Sequence, residues 1–231
     1  MDTFELKKEQ EKLARKIVLN DGFSKIKTIA GIDYYTQGKE LLAAVVVCEF
    51  PSFKIIEEKT YLLHNPFPYL PQFLAYRVMP ALIEAYNLLE EKEEPDLILV
   101  HGEGINHLRK LGLAAHLGLS LNKPAIGITE NLPCGKVEQG KIILNNEIVG
   151  FEVKTREYAK PVYVSPGHLC TIGSALRIFS ESIKFPHKMP EPLHLARKLA
   201  KKKFSKQSKE ENNNLLKEKV KEEVKLREKY E

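Results

Sequence analysis

The spacing of apolar and polar residues changes several times along this chain, and each change marks an element. Thr28–Tyr35, Leu41–Phe50 and Phe53–His64 are β-rich runs separated by the turn signals Gln37-Gly38 and Pro51-Ser52, which predicts an antiparallel meander. A Pro-rich connection, Asn65–Pro71, leads into Gln72–Glu90, where Phe73, Leu74, Met79, Leu82, Ile83 and Tyr86 recur at helical spacing. Asp96–Val100 and Ala125–Ile128 are short apolar runs that suit buried strands, with a helix expected over about Leu108–Leu119 between them. Strand, helix, strand with short joints is the pattern of a parallel crossover, so the sheet is expected to be mixed and covered by helices on both faces. A strand pair around Lys141–Thr155 and Pro161–Val164, a helix after Thr171 and a last helix from near Pro192 complete an α/β fold.

Size and composition narrow the picture. With 231 residues and 43% hydrophobic side chains, the chain can bury one substantial core, and residues 1–200 are expected to form one domain. Residues 201–231 are rich in Lys and Glu and contain Asn212-Asn213-Asn214, which marks them as an appendage, helical or partly disordered. Apolar runs fall far short of the roughly 20 residues that cross a bilayer, so no membrane partner is expected. Met1–Arg15 alternates Lys and Glu like a surface helix and lacks the apolar stretch of a signal peptide; a cytoplasmic protein is expected. Cys48, Cys134 and Cys170 lack CxxC spacing, which argues for reduced thiols over a disulfide framework or zinc site. The formal net charge is +5, and residues 201–231 carry 11 Lys and Arg against 7 Glu. Such a segment helps phosphate binding through counterion release, and it is also what a solvated helix looks like.

Four segments in order carry the candidate chemistry: Ala30-Gly31-Ile32-Asp33, Phe67-Pro68-Tyr69-Leu70-Pro71, Val100–Gly118 with His107-x-Arg109-x-x-Gly112-x-Ala114-x-His116-x-Gly118, and Val164-Ser165-Pro166-Gly167-His168. Together they resemble the endonuclease V family over roughly residues 5–200. The resemblance implies a ribonuclease H-like fold and cleavage of phosphodiester bonds near inosine in DNA or RNA. It also implies magnesium or manganese held by carboxylates, because a divalent ion that activates water needs hard anionic ligands. Asp33, a carboxylate where an apolar strand stops, matches the first ligand. Tyr69, among Pro68, Leu70 and Pro71, matches the family's strand-separating wedge, with a packed structural turn as the alternative. Gly102, Gly104 and Gly127 match close-approach positions around a base pocket. Gln72 stands where the family commonly has glycine. His107, Arg109, His116 and His168 match family positions, with bonding to backbone as their alternative role.

The chain departs from the family at the chemistry. Val78 in Arg77-Val78-Met79-Pro80 stands in place of a glutamate, and His101 in His101-Gly102-Glu103-Gly104 in place of an aspartate. Glu130 replaces a basic residue, and Arg197 replaces a histidine. Losing two of three anionic ligands removes most of a magnesium site's affinity, so the metal is expected to be absent or weakly bound. The leading expectation is a nucleic-acid-binding protein with impaired catalysis, acting on inosine-containing, mismatched or branched DNA or RNA, with an intact nuclease paralogue as a partner. The alternative is an active nuclease with Asp33, His101 and Glu130 as rebuilt ligands, a set that favours manganese or zinc.

Overall fold

The three β-rich runs fold as the expected meander: β1 (Thr28–Gln37), β2 (Glu40–Glu49) and β3 (Ile55–His64) pair antiparallel. This is a computed structural model, and it describes residues 2–206. A helix, α1 (Thr3–Ala14), precedes the meander; its N-terminus is capped by the Asp2 carboxylate, which accepts from the Phe4 N–H at 3.0 Å. After the meander come α2 (Leu74–Asn87), β4 (Leu97–His101), α3 (Leu113–Leu121) and β5 (Ala125–Thr129). The described residues end with a hairpin region, β6 (Lys136–Glu138), β7 (Lys141–Leu144) and β8 (Glu147–Val153), then β9 (Val162–Pro166), α4 (Ile172–Glu181) and α5 over residues 191–206.

All nine strands join one sheet in the order β3-β2-β1-β4-β5-β9-β8-β7-β6. β1, β4 and β5 run parallel and the other pairs are antiparallel, so the sheet is mixed. Strand periodicity sorts the side chains between its faces. Ala30, Ile32, Ile98 and Val100 pack with α2 and α3 on one face, while Ile29, Leu97, Leu99, Ile126 and Ile128 pack with α4 and α5 on the other. The Asp96 carboxylate fastens the start of β1 to β4 by accepting from the Lys27 and Thr28 N–H groups at 2.7 and 3.0 Å.

Two helices start later than the periodicity predicts. α2 begins at Leu74 because Gln72 holds a φ of 68°, a left-handed conformation that cannot continue a helix. α3 begins at Leu113, since residues 104–112 form a loop closed by Gly112 N–H donating to Gly104 O at 2.9 Å and Ile105 N–H to Pro166 O at 2.8 Å. At the other end, the segment expected as an appendage starts within α5: Ala200 and Phe204 are buried against Leu42 and Ala44. Residues 207–231, which hold the rest of it, lie outside the described residues. Among the described residues no helix is long and apolar enough to cross a membrane.

Candidate functional site

The parity of the central strands decides which side chains can meet. Asp33 lies two residues beyond Gly31 on β1, His101 two beyond Leu99 on β4, and Glu130 two beyond Ile128, just past β5. All three therefore continue the sheet face covered by α5. That face is closed by a backbone approach: a Cβ on Gly31 would lie 2.0 Å from the Pro192 carbonyl oxygen. Only glycine lets the start of α5 rest on β1, and this seating brings Arg197 of the same helix over the strand ends.

The residues there are already paired with one another. Asp33 is 2% exposed, and its Oδ1 accepts from His101 Nδ1 at 2.9 Å and from the Tyr34 N–H at 2.7 Å. Burial opposes charging of the His101 ring, but the hydrogen bond and charge of Asp33 outweigh it and raise its pKa. Glu130 accepts from Arg197 Nη1 at 3.1 Å and lies 3.7 Å from Lys188 Nζ. Partial burial works against its carboxylate, yet Arg197, His101 and Lys188 hold its pKa below the usual value.

This donor set does not fit the family's divalent ion. Such a site gathers several carboxylates whose mutual repulsion the ion relieves. Here each of the two carboxylates already has a side-chain partner, and an incoming ion would meet a histidine ring that Asp33 makes easier to protonate, a guanidinium and an ammonium. Val78 is fully buried in the apolar cluster with Ile32, Val100 and Leu82 and offers no ligand. Among the described residues no three His, Cys, Asp or Glu side chains are grouped to hold a metal. Asp33 and His101 are brought together as neighbours, while Glu130 is held on Arg197 and Lys188.

Around this centre lies a cleft of about 350 Å³ lined by Asp33, Glu130, Arg156, Lys188, His194 and Arg197 among others. A second cleft of about 290 Å³ runs past Tyr34, His101, Gly102, Glu103 and Asn131. Arg156 and Lys188 escaped the sequence reading because neither sits in a motif. The Arg156 guanidinium reaches the other loop by donating to the Pro186 carbonyl at 2.9 Å, and only the fold puts the two loops together.

The remaining matched residues divide between surface and scaffold. Tyr69 is 65% exposed at the tip of the loop with Pro68, Leu70 and Pro71. A Cβ on Gly127 would lie 2.4 Å from Gly104 N and 2.5 Å from Gly102 O, and one on Gly104 would lie 2.2 Å from Pro166 O. The space left by these glycines is filled by crossing backbone, with Gly102 meeting the Leu113 side chain. The Gln72 carbonyl accepts from Gln10 Nε2, His107 Nε2 and Arg109 Nη2 at 3.0, 3.2 and 3.3 Å, and the adjoining space is only about 10 Å³, near the minimum for one water. His107 also accepts from the Arg109 N–H, and His168 from the Val18 N–H; burial lowers both pKa values and keeps the rings neutral. Buried His116 packs edge-on against Tyr76.

Comparison with known proteins agrees with the motifs. The family model described as Endonuclease V matches residues 11–198. An Endonuclease V of Rippkaea orientalis is 35% identical over 206 residues, covering 85% of this chain and 89% of the relative. The crystal structure of the Bacillus subtilis Endonuclease V superposes with a TM-score of 0.81 at 27% identity, covering 91% of this chain and 95% of that one. The Ciona intestinalis Endonuclease V, solved with a 24mer DNA containing an inosine followed by a ribo-adenosine, gives a TM-score of 0.80 at 27% identity over 88% of this chain and 98% of that one.

Proposed function

This chain belongs to the endonuclease V family, and from that premise we propose that it binds inosine-containing, mismatched or branched DNA or RNA with its cleavage chemistry impaired. The observation that carries this reading is the internal pairing of the two carboxylates on the sheet face covered by α5, Asp33 with His101 at 2.9 Å and Glu130 with Arg197 at 3.1 Å. Three of the exchanged residues, His101, Glu130 and Arg197, enter side-chain pairs where the resemblance implies a metal and its ligands. Side-chain cations take over part of the ion's charge, and they cannot supply a metal-bound hydroxide. Exposed Tyr69 between prolines remains able to stack on an unpaired base. In this reading the protein works in the cytosol, where Cys48, Cys134 and Cys170, all free thiols, stay reduced. It competes with or assists an intact nuclease.

The test is parallel binding and cleavage on inosine-containing DNA and RNA with magnesium, manganese and zinc in turn. Binding without nicking under all three metals is the expected result, with Tyr69→Ala weakening affinity about 5- to 100-fold. Metal-dependent nicking that disappears in Asp33→Ala would instead establish an active enzyme with rebuilt ligands.

A further inference from the structure

The cleft beside α5 has more positive than negative side chains, and two bare aromatic rings stand in its loops. Arg156, Lys188 and Arg197 line it against Asp33 and Glu130, and His101 already bonds Asp33. Arg156 spends one N–H on the Pro186 carbonyl, and among the described residues no carboxylate is within ion-pair distance of it. Two positions after Arg156 stands Tyr158, 97% exposed, and immediately before Pro186 stands Phe185, 87% exposed. The Arg156–Pro186 hydrogen bond ties these two loops together, so both rings sit beside cleft-lining residues. Tyr158 also holds a φ of 62°, an uncommon conformation for a residue with a large side chain. Arg156, Tyr158, Phe185 and Lys188 belong to none of the motifs that carry the family resemblance.

An exposed ring offers a flat face on which a base can stack, and the neighbours of Tyr158 and Phe185 select the ligand. Cations beside aromatic faces suit a strand that offers a phosphate and an unpaired base at each step. A duplex fits poorly, because its base faces are already occupied by one another. We infer that the cleft lined by Arg156, Lys188 and Arg197, with Tyr158 and Phe185 at its loops, is a metal-independent site for the phosphate backbone of single-stranded nucleic acid, whose bases stack on the two rings. This deepens the proposed function and rests on it, since it gives the strand a path away from the Tyr69 loop.

The experiment uses the full chain and a fluorescein-labelled oligothymidylate of about 16 nucleotides, titrated at several salt concentrations with and without EDTA. Wild type should bind equally well in EDTA, because the cations are side chains. Tyr158→Ala and Phe185→Ala should each weaken binding about 5- to 100-fold, and Phe185→Trp, which keeps a ring, should bind like wild type. Arg156→Ala with Lys188→Ala should flatten the slope of log affinity against log salt by about 1.4. The rings are exposed, and unchanged thermal melts will show that the variants fold. If wild type binds and Tyr69→Ala weakens it while the cleft variants change neither affinity nor slope, this site is wrong and the proposed function stands. If polyglutamate competes as well as the oligonucleotide and neither ring matters, the cleft recognises acidic chains generally and the inference fails. If wild type binds no nucleic acid at all, both readings fall.

Discussion

At the scale of single residues, the decisive pair is Asp33 and His101. With its pKa raised by Asp33 above the ordinary 6.5, His101 gains a proton more readily in the folded chain than in the unfolded one. Its contribution to stability is therefore complete below 6.5 and is lost as the pH rises through the folded value. We expect the difference in unfolding free energy between wild type and His101→Gln, from urea melts, to be largest just below 6.5 and to shrink toward alkaline pH. A difference that stays constant across that range would mean a neutral imidazole and would remove the internal cation from the argument. Asp33 and His101 were legible in the sequence because each stands where a buried apolar run stops, Asp33 after Ile32 within β1 and His101 as the last residue of β4. The partner of Glu130 was not, because Arg197 lies 67 positions away and reaches it only through the seating of α5 on β1. Nor did the motif around Gly102, Gly104 and Gly127 reveal that backbone fills the space those glycines leave.

At the scale of elements, α5 does more than the sequence pattern suggested. Its buried positions Leu193, Ala196, Ala200 and Phe204 form a stripe at helical spacing that runs past residue 200. The Lys201-Lys202-Lys203 run hides that continuation from a reading based on composition. Phe204 packs edge-on against Tyr35, ring centroids 5.1 Å apart, and covers Leu42 and Ala44. Phe204→Ala should cost about 3 kcal/mol, lowering the thermal midpoint by roughly 10 °C; calorimetry decides it, and a loss below about 0.5 kcal/mol would show that the helix end is not part of the core. Gly31→Ala tests the other end of the same helix. Its Cβ would press on the Pro192 carbonyl, and either the helix lifts from β1 or the domain fails to fold, so a variant with wild-type stability would contradict the close approach. Strands and their order were readable from alternation and turn signals. The late starts of α2 and α3 were not, because they depend on the left-handed backbone of Gln72 and on hydrogen bonds from residues 105 and 112 to distant carbonyls.

At the scale of the whole molecule, the question is where the positive charge sits when a polyanion approaches. Residues 207–231 contain seven basic and seven acidic side chains. The excess in the last part of the chain therefore belongs to Lys201, Lys202, Lys203 and Lys206, which are exposed on α5. Counterion release depends on the cations that touch phosphate, and in a segment with equal numbers of both signs each lysine is screened by neighbouring glutamates. Removing residues 207–231 should therefore leave both the affinity for single-stranded DNA and the slope of log affinity against log salt unchanged. It should also leave the thermal midpoint in place, since the stripe from Leu193 to Phe204 that packs α5 on the sheet is retained. Titrations of the truncated and full chains at matched salt concentrations check this. A slope shallower by about 0.7 or more in the truncated form would mean that at least one of those lysines or Arg227 leaves its acidic neighbours to bind phosphate. The polyanion surface would then extend beyond residue 206.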